Sequence, residues 1–587
     1  MDRKRRRLVQ AMAVGSAATW VAGCGGGSSS GSPAPSAGSP NQPGTPETPA
    51  PSEPRVPRVG FSHGVASGDP LADRVMLWTR VTPREETAGP IPVTVTVARD
   101  AALLDPVARF ETQADAEHDF CVKQDATGLE AGRWYYYQFS VADQRSPIGR
   151  TRTLPAADRY VDRARFAVVS CANISHGYFS VYKTLAEHGD LDFVLHLGDY
   201  LYEYGIGEYG DVPDRDPVPP HEMVTLEDYR QRHAQYKGDV DLQAVHQQYP
   251  MIVIWDDHES TNDSYQDGAE NHQPLTEGDW ETRKNIARRV YFEWMPIREQ
   301  NPGDVATIYR RFQFGDLVDL SMLDTRLEGR DEPLSLPFDP ARNDPARNDP
   351  ERRLISDTQM QWLLDGLSAS TARWRFIGQQ VMFAQLNIAE IPSLNEHASQ
   401  LRGNLSAINM DQWDGYAADR LKILNHLDDN NIDNVVILTG DIHTSWASEI
   451  YRNPGTLLGD LFDAPLAAEF VTPAVTSPGF PEGAAELAGV AIPVANPHIR
   501  YVEAKSRGFI LMDVNHQRAQ AEFYYARDIE SFDLRGQIDE SKTKLVAVYS
   551  GDSRLREGGL SPSRPRTLRT ALFHPPAPAS ASTEEMA

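Results

Sequence analysis

Six short runs between residues 165 and 439 are apolar almost from end to end, and that pattern restricts the chain's fold more than any other. They are "RFAVVS" (165–170), "DFVLHL" (192–197), "MIVIW" (251–255), "LVDLSML" (317–323), "WRFIGQQ" (374–380) and "NVVILT" (434–439). A strand with one face in water alternates apolar and polar residues. A strand apolar on both faces is covered on both sides, as in a parallel sheet flanked by helices. Helical patterns stand between the runs: "YFSVYKTLAEHG", "ETRKNIARRVYFEWM", "SDTQMQWLLDGLS" and "AADRLKILNHLDD". The third opens on Ser356 and Asp357, both good caps. With the later strands "RGFILMDV" and "QAEFYYAR", residues 158–552 read as an α/β sandwich of two packed sheets.

The chain before this domain reads differently. "RVMLWTRV", "PVTVTVARD", "HDFCVKQDATGL" and "RWYYYQFSV" are short strands with period-2 alternation and turn residues between them. They predict a small antiparallel β-sandwich of immunoglobulin or fibronectin type over residues 58–157. Residues 25–57 are Gly, Ser and Pro-rich and cannot bury a core, so they read as a linker. The first 24 residues, "MDRKRRRLVQAMAVGSAATWVAGC", have a basic head and an apolar core too short to span a bilayer. The arginines resemble a twin-arginine export signal and "VAGC" resembles a lipobox, which would lipidate Cys24 and place the protein in the periplasm or at the cell surface. The alternative is a plain secretory signal. Residues 553–587 return to Pro, Ser and Ala and read as a low-complexity tail. The remaining cysteines, Cys121 and Cys171, allow at most one disulfide.

Four runs end in potential metal ligands: Cys171; Asp199 with Tyr202 three residues on; Asp256, Asp257 and His258; and Asp441 with His443. Ligands of open α/β sheets bind outside the carboxyl ends of the strands. One acid there is ordinarily a turn or a cap. Several acids packed together without a cation would repel at a cost on the order of several kcal/mol, which a multivalent metal removes. A thiolate and a tyrosinate on one ion suit ferric iron better than magnesium, and the carboxylate-rich side suits an oxygen-loving divalent ion with Asp199 as the bridge. Two such ions activate water and clamp phosphoryl oxygens. A formal charge of −26 argues against a nucleic-acid wrapper, which needs clustered Lys and Arg.

"GDYLYE", "WDDHE" followed by Asn262, "LDTR", "QWDGY", "LTGDIHTSW" and "VTPAVTSPGF" occur in this order, preceded by "FSHGVASGDP" and "VMLWTR". The set resembles the PhoD family of alkaline phosphatases and phosphodiesterases, in the calcineurin-like metallophosphoesterase class, over residues 58 to 550. The resemblance implies Fe3+ on Cys171, Asp199, Tyr202 and a group of the "GDIH" loop, His443. It implies Ca2+ on Asp199, Asp441 and either Asp257 or Asn262, and a further calcium whose ligands it does not place. Asp257-His258-Glu259 stands where the class has Asn-His-Glu, which implies His258 as proton donor to the leaving oxygen. The class motif GHxH is replaced by "GDIH".

Arg326 of "LDTR" is open between binding phosphate and neutralising Asp324. His196 reads as a buried, satisfied histidine, and His63 and Asp69 as turn or interface residues. The expectation is a secreted, metal-dependent alkaline phosphatase or phosphodiesterase that frees phosphate from small organic mono- or diesters. A phospholipase D-type diesterase and a non-catalytic metal- or phosphate-binding surface protein are the alternatives. The insertion at 204–250 and the "ARNDP" repeat within 337–353 are expected to shape the mouth of the site.

Overall fold

Strand Val435–Thr439 shows why these runs are apolar throughout. Val436 and Leu438 point into a core shared with Phe166, Leu195 and Phe376, while Val435 and Ile437 point the other way, onto Leu363, Leu367, Ile423 and Leu424. Alternate residues of a strand face opposite sides, so a strand between two cores must be apolar at every position. Each such side chain contributes about 1.5–3 kcal/mol when fully buried. The computed structural model describes residues 57–85, 87, 89–334, 345–386, 410–452 and 464–564. The expected export signal, Cys24 and all of the linker before Pro57 lie outside the described residues.

Two mixed sheets pack face to face. The second sheet has seven strands in the order Arg310–Phe314, Val318–Met322, Trp374–Gln379, Val435–Thr439, Ala467–Val471, Ser445–Ile450 and Ile499–Glu503, the second to fifth parallel. The first has ten, and its parallel centre is Arg163–Val169, Phe193–His196, Met251–Val253 and Val65–Gly68. Phe166 of the first sheet stacks on its neighbour Phe193 at 4.7 Å and meets Phe376 of the second edge-on at 5.9 Å. A parallel bridge between Ser170 and Ala474 joins the two sheets at their carboxyl ends. All four expected helices are present, as Ser180–His188, Trp280–Trp294, Asp357–Ala369 and Ala417–Asp429, with Ser356 capping the third through Gln359 N–H.

Two expectations need correction. Residues 58–157 do not form a sheet system of their own: Val65–Gly68, Arg74–Arg80 and Cys121–Thr127 continue the ten-stranded sheet, through the pairing of Gly68 with Met251. Five of the other strands form a separate sheet packed on them through Val93, Val95, Tyr137 and Phe139, and Val59–Gly60 pairs with Thr82–Pro83. The cause is local: Gly68 has no Cβ, and one there would lie 2.7 Å from the Met251 carbonyl oxygen. The tail does not begin at 553. Asp552–Glu557 is the edge strand of the large sheet, and Arg564 bonds Asp190 and Asp192, an acid pair at the sheet's opposite end from the expected site. The insertion at 204–250 holds two capped helices, Leu226–Gly238 and Val240–Gln248, whose polar sequences mask the helical period.

Cys121 and Cys171 are both buried and free. His196 is buried with Nε2 2.9 Å from Tyr182 Oη, and Asp69 pairs with Arg310 at 2.6 Å.

Candidate metal centre

The carboxyl ends of both sheets meet, and the residues there leave regular strand geometry sharply. Cys171, Asp199, Asp441 and His443 all have left-handed backbone, with φ of 61°, 54°, 60° and 61°. Each such non-glycine residue is strained by about 1–3 kcal/mol and persists only where surrounding bonds enforce it. Glu259 enforces the Asp199 turn. Its buried carboxylate accepts the N–H groups of Asp199 (3.1 Å), Tyr200 (2.6 Å) and Asp256 (2.8 Å), fastening two strand ends together. Gly198, at φ +94°, permits this approach, because a Cβ there would stand 2.5 Å from Asp256 Cβ. Gln380 stitches a third end, donating to the carbonyls of Trp255 (2.7 Å) and Leu323 (2.9 Å).

Three sets of ligand atoms result, each lying within 4.8 Å of one another: Cys171, Asp199 and His443; Asp199, Asp257 and His258; Asp256, Asp257 and Asp441. Asp199 belongs to two of them. Tyr202 Oη donates to Asp199 Oδ2 at 2.8 Å, lies 3.1 Å from His443 Nε2 and accepts from Ser477 Oγ at 2.8 Å. Asn262 follows the same loop: the N–H of Asp263 bonds Asp257 Oδ2 at 2.6 Å.

Four oxygens here, Asp199 Oδ1, Asp256 Oδ2, Asp257 Oδ1 and Asn262 Oδ1, are buried without a hydrogen-bond partner. Buried polar atoms are rarely left so. Oxygens of this kind beside a thiol, a phenol and an imidazole fit cations, and the electrostatics agree. Burial, reinforced by Asp257, Glu259 and Asp441, pushes Asp199 well above the usual carboxylate range despite the opposing His258. Burial likewise raises the Cys171 thiol and the Tyr202 phenol, so both ionise only with a cation beside them. Asp257 goes the other way: burial opposes it, but Arg326 and His258 draw it down to about 2.

Arg326 is the site residue that the structure reassigns. It is fully buried, with Nε on Asp256, Nη1 on both oxygens of Asp411 (2.9 and 3.0 Å), and Nη2 on Asp441 at 2.6 Å and 3.5 Å from Asp257. Every nitrogen is engaged, so it is not free to grip a phosphate. Nor does it neutralise Asp324, whose Oδ1 instead accepts the backbone N–H groups of Arg326 and Leu327, both at 2.9 Å. Arg326 is the internal counter-cation of four other acids.

Sequence reasoning missed Glu203. Its Oε2 is 2.7 Å from His258 Nδ1, and its Oε1 accepts from Asn262 N–H (3.0 Å), Asn271 Nδ2 (3.1 Å) and Thr261 Oγ1 (3.3 Å). Burial works against an imidazolium at His258, yet Glu203, Asp199 and Asp257 hold its pKa well above the ordinary value. The only available signal was Glu203's place as the last letter of "GDYLYE". Asp411 and Gln412, whose Nε2 donates to Asp441 Oδ2 at 2.9 Å, were also missed as site residues. The 204–250 stretch reaches the site through Tyr204, whose ring lies 5.5 Å from that of His258; residues 337–344 of the repeat segment lie outside the described residues.

Comparison with known proteins identifies the family. Residues 166–523 match the family model of PhoD-like phosphatase, and residues 47–155 match that of the PhoD-like phosphatase N-terminal domain. Alkaline phosphatase D of Bacillus subtilis (strain 168) is 37% identical over 479 residues, covering 79% of this chain and 77% of that protein. A solved structure of PhoD superposes with a TM-score of 0.73 at 32% identity, over 88% of this chain and 94% of the other. Family model, curated relative and superposition coincide over the part of the chain that builds the site: the protein belongs to the PhoD-like phosphatase family.

Proposed function

We propose that the chain is an exported, metal-dependent hydrolase of phosphoric mono- and diesters. The observation that carries this reading is the set of buried oxygens without a hydrogen bond on Asp199, Asp256, Asp257 and Asn262, gathered where a thiol, a phenol and two imidazoles converge. The thiol and phenol suit Fe3+ on Cys171, Asp199, Tyr202 and His443, and the carboxylates suit an oxygen-preferring divalent ion, which the family resemblance implies is Ca2+, on Asp199, Asp441 and either Asp257 or Asn262. Bound there, the cations supply an activated water and neutralise the phosphoryl oxygens.

The chain's own residues do the rest. Glu203 holds His258 by Nδ1, so Nε2 carries the proton delivered to the leaving alcohol. Glu203 also favours the protonated imidazole, which keeps the donor charged. Arg326 fixes Asp256 and Asp441 in place and offsets their mutual repulsion. Export by the twin-arginine route and lipidation at Cys24 are part of the proposal and rest on "MDRKRRRLVQAMAVGSAATWVAGC". Among the described residues, no helix is long and apolar enough to cross a membrane.

The test is elemental analysis of the purified protein together with hydrolysis of para-nitrophenyl phosphate and bis-para-nitrophenyl phosphate, in wild type and His258→Ala. About one iron per chain, calcium-dependent turnover, and an H258A variant that keeps its metal while losing about 10²–10⁴ in kcat support the reading. Metal-replete wild type without turnover on either ester would favour a binding protein. A chain that takes up no metal under any loading condition would overturn the reading altogether.

A further inference from the structure

Helix Ala484–Ala495, "AAELAGVAIPVA", is more apolar than its packing requires. Ala485, Ala488, Ile492 and Ala495 cover the outer face of the second sheet beside Ile499 and Val502. A second stripe, Leu487, Val490 and Val494, follows the i, i+3, i+7 spacing of one helix face and stands in solvent at 51%, 69% and 69% exposure. Glu486 is the helix's only charged residue. At the flank, Arg500 pairs with Glu449 at 2.8 Å and Lys505 with Glu482 at 3.2 Å, so the rim is balanced in charge.

A contiguous exposed apolar stripe of this kind is often a functional contact surface. The size of the stripe selects among partners. Three half-exposed aliphatic side chains offer on the order of 300 Å², against about 800 Å² that each subunit of a stable dimer buries. A lipid interface makes no such demand, because an apolar helix face sinks among headgroups and acyl chains without a matching surface. Tether length points the same way. From Cys24 to Pro57 the chain extends to about 110 Å at most, enough to hold the folded body near a membrane but not to orient it. A second, weaker contact would do that.

The position of the helix gives the contact a consequence. The chain reaches it seven residues after Ser477, which donates to Tyr202, and six after Pro478, whose carbonyl lies 3.2 Å from His443 Nδ1. Six residues span about 20 Å at most.

We propose that Leu487, Val490 and Val494 dock helix Ala484–Ala495 onto a lipid bilayer, holding the metal centre close to phosphoric esters borne on that surface. The second clause and the Cys24 tether rest on the function proposed above; docking itself is measured by binding alone.

The test uses the full chain carrying Cys24→Ser, which cannot be acylated, with and without Val490→Asp/Val494→Asp. Both proteins retain the N-terminal apolar segment, so its own lipid affinity cancels in the comparison. Each is floated with phosphatidylcholine vesicles and with vesicles containing phosphatidylglycerol. The expected result is that C24S floats and that the added pair of aspartates lowers the bound fraction at least tenfold, while hydrolysis of soluble para-nitrophenyl phosphate stays unchanged. Equal flotation of the two proteins, or no flotation of C24S on either vesicle, overturns the proposal. So does a concentration-dependent dimer of C24S in sedimentation that the aspartates dissolve, because a second copy of the chain then covers the stripe. A chain that floats as expected but is inactive on every ester leaves docking standing and removes the catalytic reading instead.

Discussion

Glu203 has no side-chain freedom: both carboxylate oxygens are engaged, one by His258 and the other by three donors. Replacing it with Gln keeps the shape and removes the charge that orients and protonates the imidazole. The expected outcome for E203Q is a kcat lower by about 10–100-fold with metal content unchanged, read from turnover and elemental analysis of the same sample. An equal loss of metal would mean that Glu203 organises the ligands rather than the acid. Cys171→Ser separates the two cations: without the thiol, iron per chain is expected to fall while calcium is retained. The candidate ligands that the structure brings together were visible in the sequence where they end apolar runs, as Asp199 and Asp441 do. Glu203 and Asp411 were not, because their roles arise from contacts across 55 and 85 positions of sequence, with His258 and Arg326. Arg326 was misread for the same reason: nothing near "LDTR" announces four acids from three other segments.

At the scale of elements, strand ends carry the chemistry and edge strands carry the anchoring. Arg564, beyond the last strand, bonds Asp190 Oδ1 at 2.6 Å and Asp192 Oδ2 at 3.1 Å. Arg564→Ala is expected to lower stability by about 1–2 kcal/mol, read as a drop in Tm. The gap should depend on pH. Burial tends to raise Asp190, but the Arg564 bonds outweigh it and leave the carboxyl below its ordinary value of 3.8. A depressed carboxyl stabilises the fold above its unfolded pKa and loses that contribution as pH falls through the folded one. Wild type and R564A should therefore converge in Tm as pH drops below about 4, and a gap that is constant from pH 7 to 3 would count against the ion pair. The six buried strands were readable as short runs apolar throughout, and the four helices by their helical period. The helices at 226–248 were not: they bury Arg232, His233 and Lys237, and a helix that buries polar residues shows no apolar stripe.

On the scale of the whole molecule, the N-terminal region is structurally part of the catalytic one. Removing residues 58–157 would strip three strands from the ten-stranded sheet and bare the edge of Met251–Val253. It would also remove Trp78, whose indole packs 5.7 Å from Trp294 and donates to the Glu293 carbonyl at 2.9 Å. The deleted chain is expected to aggregate without a cooperative melt in calorimetry; a soluble remainder with a sharp transition would show that the division expected from sequence holds. Chelation should likewise lower the Tm of the intact chain, since a cation bound only by the folded state stabilises it by mass action.

The sequence by itself determined the local choices. Alternating runs had to be strands with one covered face, runs apolar on both faces had to be covered on both sides, and the acids that end those runs had to lie at the carboxyl ends of the sheets. Those are consequences of backbone geometry and burial that act within a few residues. Only the tertiary structure decided which strands adjoin, so it alone joined the two N-terminal and catalytic sheets across Gly68 and Met251, surrounded Arg326 with four carboxylates, and left one stripe of helix Ala484–Ala495 without cover. Pairing partners and counter-charges are set by packing between distant segments, where many sequences satisfy the same local periods.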